Sequence, residues 1–207
     1  MTTLKKGSVP FFLAIALALP ALPALPALAA LKVGETAPPF SAQVSLAGKE
    51  VGFSLADALR NGPVVVYFYP SAYTGGCNLE AHAFATQMDA FAAAGVMVVG
   101  VSHDSIARLN DFSADPKYCA GRFPVASDPD GAIARSFGLA VMDAKPGAKD
   151  TRGQEIGHAF TERTTFVIAP GGKIAAVFSS AEDKIAPSDH AVKSLAAAQK
   201  LAKPKKH

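Results

Sequence analysis

The sequence predicts an α/β fold, a central mixed β-sheet flanked by helices, on two observations. Short apolar runs rich in β-branched and aromatic residues alternate with stretches of helical spacing, the pattern of parallel strands joined by helical crossovers. Late in the chain, Thr164 to Ile168 and Lys173 to Phe178 flank Pro170-Gly171-Gly172 and read as a hairpin, which puts an antiparallel pair at the sheet edge. With 207 residues, half of them apolar, there is room for one domain with a full core and not for two.

The first segment is read as a targeting signal. MTTLKK precedes an apolar run from Val9 to Ala30, and Ala27-Leu28-Ala29 has the small-x-small pattern of a signal-peptidase site. Residues Met1 to Ala29 are therefore expected to be removed, leaving one domain from Ala30 to His207. The run is also long enough to span a bilayer. However, Pro10, Pro20, Pro23 and Pro26 interrupt it and no stop-transfer charges follow. The expectation is export, as into a bacterial periplasm, with no stable membrane association after cleavage. Two units of the formal net charge of +3 are Lys5 and Lys6 of that segment, so the basicity argues for no acidic partner, nucleic acid included. Lys203, Lys205 and Lys206 read as a solvated tail.

The elements of the domain follow in order. Leu31 to Gly62 is a polar, Pro- and Gly-punctuated lead-in with room for a hairpin at Ala47-Gly48. Val64 to Tyr69 (VVVYFY) is an unbroken run expected to be a strand buried on both faces and stopped by Pro70. From Asn78 to Ala94, residues Ala81, Phe84, Ala85, Met88, Phe91 and Ala92 form one helical stripe, which Gly95 ends. Val96 to Val101 is a second buried strand, Ser105 to Phe112 begins a helix, and Phe123 to Ala126 is a short strand before the turn Asp128-Pro129-Asp130-Gly131. Ala140 to Glu162, with its Pro, Gly and charged residues, reads as a surface loop of unknown role. A helix over Ser188 to Ala202 closes the chain.

The chemistry is concentrated in YFYPSAYTGGCNLEA, where a buried strand ends at Pro70, a loop passes Thr74, and Cys77 opens a helix. Unpaired backbone N–H groups and the helix dipole favour negative charge there, which predicts a thiol pKa drawn from about 8.5 into the range of roughly 3.5 to 7.5. Ionisation alone gains at most about 30-fold, since a few per cent of an ordinary thiol is already thiolate near neutrality. Further acceleration needs groups that align the reacting atoms with the sulfur and stabilise developing charge. Thr74, three residues before the cysteine, and an arginine suit that task.

Pro70-Ser71-Ala72-Tyr73-Thr74-Gly75-Gly76-Cys77 resembles the P-x-x-x-T-x-x-C signature of peroxiredoxins. The preceding VVVYFY strand, Glu80, Ser127 to Gly131 (SDPDG) and Arg163-Thr164-Thr165-Phe166 agree with it, and their order looks most like the Q-type, or bacterioferritin-comigratory, branch over about Val33 to Ser179. The resemblance implies a thioredoxin-like fold and a thiol peroxidase acting on hydrogen peroxide and organic hydroperoxides, with no metal, haem or flavin cofactor. It implies recycling by a thioredoxin-like or small-thiol reductant, and a monomer or weak dimer. Matched residue by residue, it makes Cys77 the peroxidatic thiol, Thr74 the hydroxyl that orients peroxide, Pro70 the shielding ring and Arg163 the guanidinium that stabilises the thiolate. Glu80 matches too, although an acidic residue in a first helical turn is also what the dipole alone favours.

Many Q-type members carry a second cysteine five residues after the first, where this chain has His82. Cys119, in Asp115-Pro116-Lys117-Tyr118-Cys119, lies in a region from which some members resolve, so the resemblance implies a Cys77–Cys119 disulfide in the oxidised enzyme. A one-cysteine cycle with an external thiol and a purely structural disulfide are the competing readings. Neither cysteine sits in a C-x-x-C, which argues against a zinc ribbon or a dithiol oxidoreductase. His82, His103, His158 and His190 show no ligand spacing, so no metal site is expected. The alternative of another class is a non-enzymatic envelope protein of thioredoxin fold that binds a metal or thiol through Cys77. It lacks the C-x-x-x-C such proteins generally show.

Overall fold

The computed structural model describes residues 2–3 and 29–201. The export signal expected at Met1 to Ala29 falls outside the described residues except at 2, 3 and 29, as do the terminal lysines. Among the described residues no helix is long and apolar enough to cross a membrane.

The chain begins with a hairpin, β1 (Ser41–Leu46) and β2 (Lys49–Ser54), turned at Ala47 and Gly48. Both turn residues have positive φ, +51° and +79°, the backbone twist that two-residue hairpins require. A short helix, α1 (Leu55–Asn61), follows inside what reads from sequence as a polar lead-in. Its signal is the pair Ser54 and Asp57, since the Ser54 hydroxyl caps the helix by accepting from Asp57 N at 3.3 Å. Next come β3 (Val64–Phe68), α2 (Gly75–Ala93), β4 (Met97–Ser102), α3 (Ile106–Ala114) and β5 (Val125–Ser127), each close to its expected place.

A second helix absent from the sequence reading, α4 (Ala132–Ser136), starts at the SDPDG turn. Asp128 explains it: its two carboxylate oxygens accept from Ile133 N at 3.0 Å and Ala134 N at 2.9 Å, meeting the unpaired donors of the first turn. The chain ends with β6 (Val141–Met142), β7 (Phe160–Thr161), β8 (Thr164–Ile168), β9 (Ile174–Ser179) and α5 (Asp189–Gln199).

The seven-stranded sheet has the order β2-β1-β5-β4-β3-β8-β9, and β6 pairs separately with β7. Strands β3, β4 and β5 run parallel, while the opening hairpin and the β8–β9 hairpin add antiparallel edges on either side. This is the expected mixed sheet, with β9 at one edge.

Alternation along β3 divides the core. Val64, Val66 and Phe68 pack on one face with Phe137 and Phe166; Val65, Tyr67 and Tyr69 pack on the other with Phe84, Phe91 and Phe123. Burying each such side chain stabilises by roughly 1.5–3 kcal/mol. Gly100 is dictated by this packing, because a Cβ there would lie 2.6 Å from Tyr67 Cζ. Cys77 and Cys119 both belong to the Tyr67 face.

Candidate active site

The central strand β3 delivers the loop that carries the reactive cysteine. After Phe68 the chain turns through Pro70, which is half-buried, and passes Tyr73, a non-glycine residue held at φ +61°. It then enters α2 with Thr74 as the N-cap. Cys77 stands in the first turn and is only 2% exposed. Next to β3 in the sheet runs β8, with Thr164 opposite Phe68, so Arg163 at the mouth of β8 is carried alongside the cysteine. Its Nη2 donates to Cys77 Sγ at 3.2 Å, and its Nη1 donates to Glu80, one turn further along α2.

Four of the expected residues thus converge. Glu80 is fully buried and paired with Arg163, which a carboxylate serving only the helix dipole from the surface would not be. The Thr74 hydroxyl donates to Ser71 O at 2.8 Å and lies close enough to Cys77 to favour its thiolate. Gly76, which has no expected role, has one here. A Cβ at that position would lie 3.1 Å from Arg163 Nη2 and 3.3 Å from Pro187 Cγ, so the bare backbone makes room for the guanidinium.

The electrostatics correct one expectation. Burial pushes the Cys77 thiol up; the Arg163 guanidinium, the Thr74 hydroxyl and a hydrogen bond at the Ser71 backbone pull it down, and burial wins. Position in a first helical turn is therefore not enough to depress this thiol, because the same packing that aligns it removes the water that would solvate its charge. Burial likewise raises the Glu80 carboxyl, to about 8, against the pull of Arg163. Arg163, itself disfavoured by burial, is held above its usual value by Glu80 and Cys77.

Cys119 is a free, fully buried thiol in the same apolar cluster as Cys77, and burial followed by Asp115 pushes it well up. Its loop is tied to the Cys77 elements twice. His82, at the position of the cysteine that is missing here, donates from Nδ1 to Lys117 O at 3.1 Å. The Tyr118 ring packs edge-on against Tyr73 with centroids 5.6 Å apart.

A second polar cluster lies on the other side of the loop, and it was not foreseen. Asp104, fully buried just past the end of β4, accepts from Ala72 N at 2.7 Å, Ser102 Oγ at 2.8 Å, His158 Nε2 at 2.9 Å and Ser71 Oγ at 3.1 Å. Arg108 pairs with Asp104 at 2.8 Å and with Asp150, also at 2.8 Å. Arg152 bonds Asp150 at 3.0 Å and lays its guanidinium 3.3 Å above the Tyr73 ring. Thr151 donates through its backbone N (2.9 Å) and its hydroxyl (2.8 Å) to Tyr73 O. The Ala140 to Glu162 segment is thus no free surface loop: Ile156 and Asp150 are buried and the segment grips the active-site loop. The available signal was Ser102-His103-Asp104 at the carboxyl end of a buried parallel strand, where α/β sheets place their sites.

Among the described residues no three His, Cys, Asp or Glu side chains gather as a group that could hold a metal ion. His158 and His190 are instead hydrogen-bonded into the networks around the loop.

Residues 33–177 match the AhpC/TSA family. The chain is 33% identical over 148 residues to the putative peroxiredoxin bcp of Coxiella burnetii, covering 72% of this chain and 88% of that protein. Peroxiredoxin Bcp of Escherichia coli K12 is also 33% identical over 148 residues, covering 72% and 85% of the two chains. Among solved structures, peroxidoxin BcpB of Mycobacterium tuberculosis superposes with a TM-score of 0.66 at 29% identity, over 84% of this chain and 99% of that one. Peroxiredoxin Q of Xanthomonas campestris gives 0.60 at 30% identity, over 78% and 91%. A guanidinium on a cysteine sulfur in the first turn of a helix, delivered by a thioredoxin-like sheet, thus stands in a chain whose relatives are named peroxiredoxins: this protein belongs to the AhpC/TSA family, on its Bcp/Q-type peroxiredoxin branch, and is a thiol peroxidase.

Proposed function

We propose that Cys77 is the peroxidatic residue, and that the Arg163 Nη2 contact on its sulfur at 3.2 Å is what makes it so. The Cys77 sulfur attacks one peroxide oxygen, an S–O bond forms, and the O–O bond breaks. Sulfur is oxidised to a sulfenic acid, and the departing oxygen takes up the thiol proton to leave as water or an alcohol. Arg163 stabilises charge on sulfur before attack and on the peroxide oxygens as the bond breaks, while Thr74 holds the peroxide in line. Pro70, half-buried at the start of the loop, is assigned the shielding role that the signature implies. Glu80 fixes the guanidinium. This alignment supplies the acceleration that ionisation of the thiol alone cannot.

Both hydrogen peroxide and organic hydroperoxides are proposed substrates. A Xanthomonas campestris bacterioferritin comigratory protein whose structure resembles this one (TM-score 0.59, 30% identity) is described as having alkyl peroxide reduction activity. Cys119 is proposed to resolve the sulfenic acid as a Cys77–Cys119 disulfide, which a thioredoxin-like reductant of an exported compartment then opens. The shared apolar cluster and the Tyr73–Tyr118 contact support that pairing.

The test adds hydrogen peroxide to purified protein, traps sulfenic acid and maps it by mass spectrometry. Modification at Cys77 with loss of peroxide is expected; a reduced Cys77 beside persisting peroxide overturns the assignment. In the same digest Cys77 and Cys119 should appear bridged. Cys119→Ser should accumulate the sulfenic acid and lose turnover with thioredoxin, and its melting temperature should fall only as far as the cost of a buried serine hydroxyl, about 1–3 kcal/mol, requires. Unchanged turnover in that variant would point to direct reduction by an external thiol.

A further inference from the structure

Helix α5 lies beyond residues 33–177, yet it sends His190 into the interior behind the active site. His190 is fully buried, and both ring nitrogens have partners: Nδ1 meets Thr165 Oγ1 at 2.8 Å and Nε2 meets Ser180 Oγ at 2.9 Å. The Ser180 hydroxyl hydrogen is committed to Ile185 O at 2.8 Å, so Ser180 Oγ accepts from His190 and Nε2 carries the ring proton. Nδ1 of the neutral ring is then an acceptor, and its one lone pair takes the Thr165 hydroxyl hydrogen.

That nitrogen lies 3.7 Å from Glu80 Oε1, a buried oxygen with no hydrogen-bond donor, and has no N–H to offer it. The other Glu80 oxygen receives Arg163, and Arg163 reaches Cys77 with its second nitrogen. A carboxylate charge on Oε1 would face an unprotonated nitrogen with no compensating N–H or O–H, so burial there favours the neutral acid.

We propose that His190 is a positioning residue for the peroxide reaction: by capturing the Thr165 hydroxyl and presenting no N–H to Glu80, it keeps a proton on Glu80 and leaves the Arg163 charge to Cys77. This rests on the reading of Cys77 as the reactive thiol. A Glu80 that was fully ionised would neutralise the guanidinium it holds; a protonated one orients it and leaves its charge for the sulfur.

The directions of titration agree. Burial raises Glu80 to about 8, and burial followed by Arg163 lowers His190 to about 4, so near neutrality Glu80 is mostly protonated and His190 is uncharged. The charged groups facing His190 are Arg163 from the mouth of β8, Glu80 from α2, Lys193 one turn along α5, and Asp183 from the turn after β9; of these only Asp183 and Glu80 could favour an imidazolium.

The experiment reads the Cys77 thiolate directly, by its ultraviolet absorbance against pH, in His190→Leu and His190→Asn. Leucine removes the lone pair and frees the Thr165 hydroxyl, so Glu80 ionises more readily and the Cys77 pKa should rise by about one unit, a tenfold loss of thiolate at a fixed pH. Asparagine can return an acceptor near the Nδ1 position and should restore the wild-type titration. A purely structural His190 predicts lower melting temperatures in both variants with the Cys77 titration unmoved, which overturns the proposal. Nitrogen-15 spectra of the wild-type protein give a second test that needs no variant, since a proton on Nδ1 instead of Nε2 also overturns it. Neither measurement uses turnover. If peroxide fails to oxidise Cys77, the functional reading falls and these titrations still judge the link from His190 to Cys77.

Discussion

The active-site loop lies between two buried polar networks that use the same kinds of residue to different ends. On one side Arg163, Glu80 and His190 form a line that reaches the sulfur, with one carboxylate oxygen left without a donor. On the other, Asp104 and Asp150 gather Arg108, Arg152, His158 and three donors of the loop and the β4 end, and the network meets the sulfur only through the Ser71 backbone. The first network is under-satisfied around Glu80, and burial wins there: the Glu80 carboxyl is raised. In the second, burial also opposes the Asp104 charge, but hydrogen bonds from His158, Ala72 N and Ser102 outweigh it and hold that carboxyl below the usual range. Two buried carboxylates in one protein are thus driven in opposite directions by the number of donors they meet. One is suited to tuning charge and the other to fixing position.

The sharpest way to break the comparison is to remove one side at a time. Arg163→Met keeps much of the volume and deletes the charge, and kcat/KM for hydrogen peroxide should fall by about 100- to 1000-fold. Because Glu80 is already mostly protonated near neutrality, removing its partner strands no buried charge and the melting temperature should change little, as calorimetry will show. Asp104→Ala should do the reverse. It strands the Ala72 N–H and two serine hydroxyls and loosens Arg108, so unfolding in urea should show a loss of about 3 kcal/mol. The Cys77 pKa of the folded protein should stay at its wild-type position. If Asp104→Ala moves the thiol titration as far as Arg163→Met does, the two networks are one.

A smaller effect separates them by pH. Burial pushes His158 down, but Asp104 more than offsets this and holds it above the usual imidazole value. Its contribution to stability is therefore complete below that usual value and is lost as pH rises through the raised one. Asp104, held low, contributes above the usual carboxylate range and loses its contribution as pH falls through its lowered value. The clamp should be firmest in the weakly acidic interval between the two. His158→Gln should flatten the alkaline side of that maximum and cost about 1 kcal/mol at its top, measured by urea unfolding across pH.

The parts legible from sequence were those written in local patterns. VVVYFY could only be a strand buried on both faces, and the stripe from Ala81 to Ala92 could only be a core helix. The spacing from Pro70 to Cys77 resembled a peroxiredoxin signature that brought Arg163 and Glu80 with it, and the structure sets both beside Cys77. What stayed hidden depends on partners far apart in the chain. Asp104 and His158 are 54 residues apart, and no periodicity links them. His190 and Glu80 meet only because α5 packs back against α2 and β8. The helices α1 and α4 were missed because seven and five residues carry too little repeat to show a period, although Ser54 and Asp128 supplied their caps. The thiol pKa was misjudged for a similar reason: the dipole is visible in the sequence, and the depth of burial is not.

Gly76 carries a consequence for how this protein can change over generations. In the first turn of a long helix, replacing glycine by alanine ordinarily stabilises by roughly 0.5–1 kcal/mol. Here the added methyl group would press on the Arg163 guanidinium from 3.1 Å and tilt it off the sulfur. The substitution would keep the gain in helix propensity and alter no reacting atom, yet it would cost activity, because the guanidinium must give way by a few tenths of an ångström. Selection on folding alone would drift toward alanine at this position, so only continued exposure to peroxide gives the lineage a reason to keep the glycine.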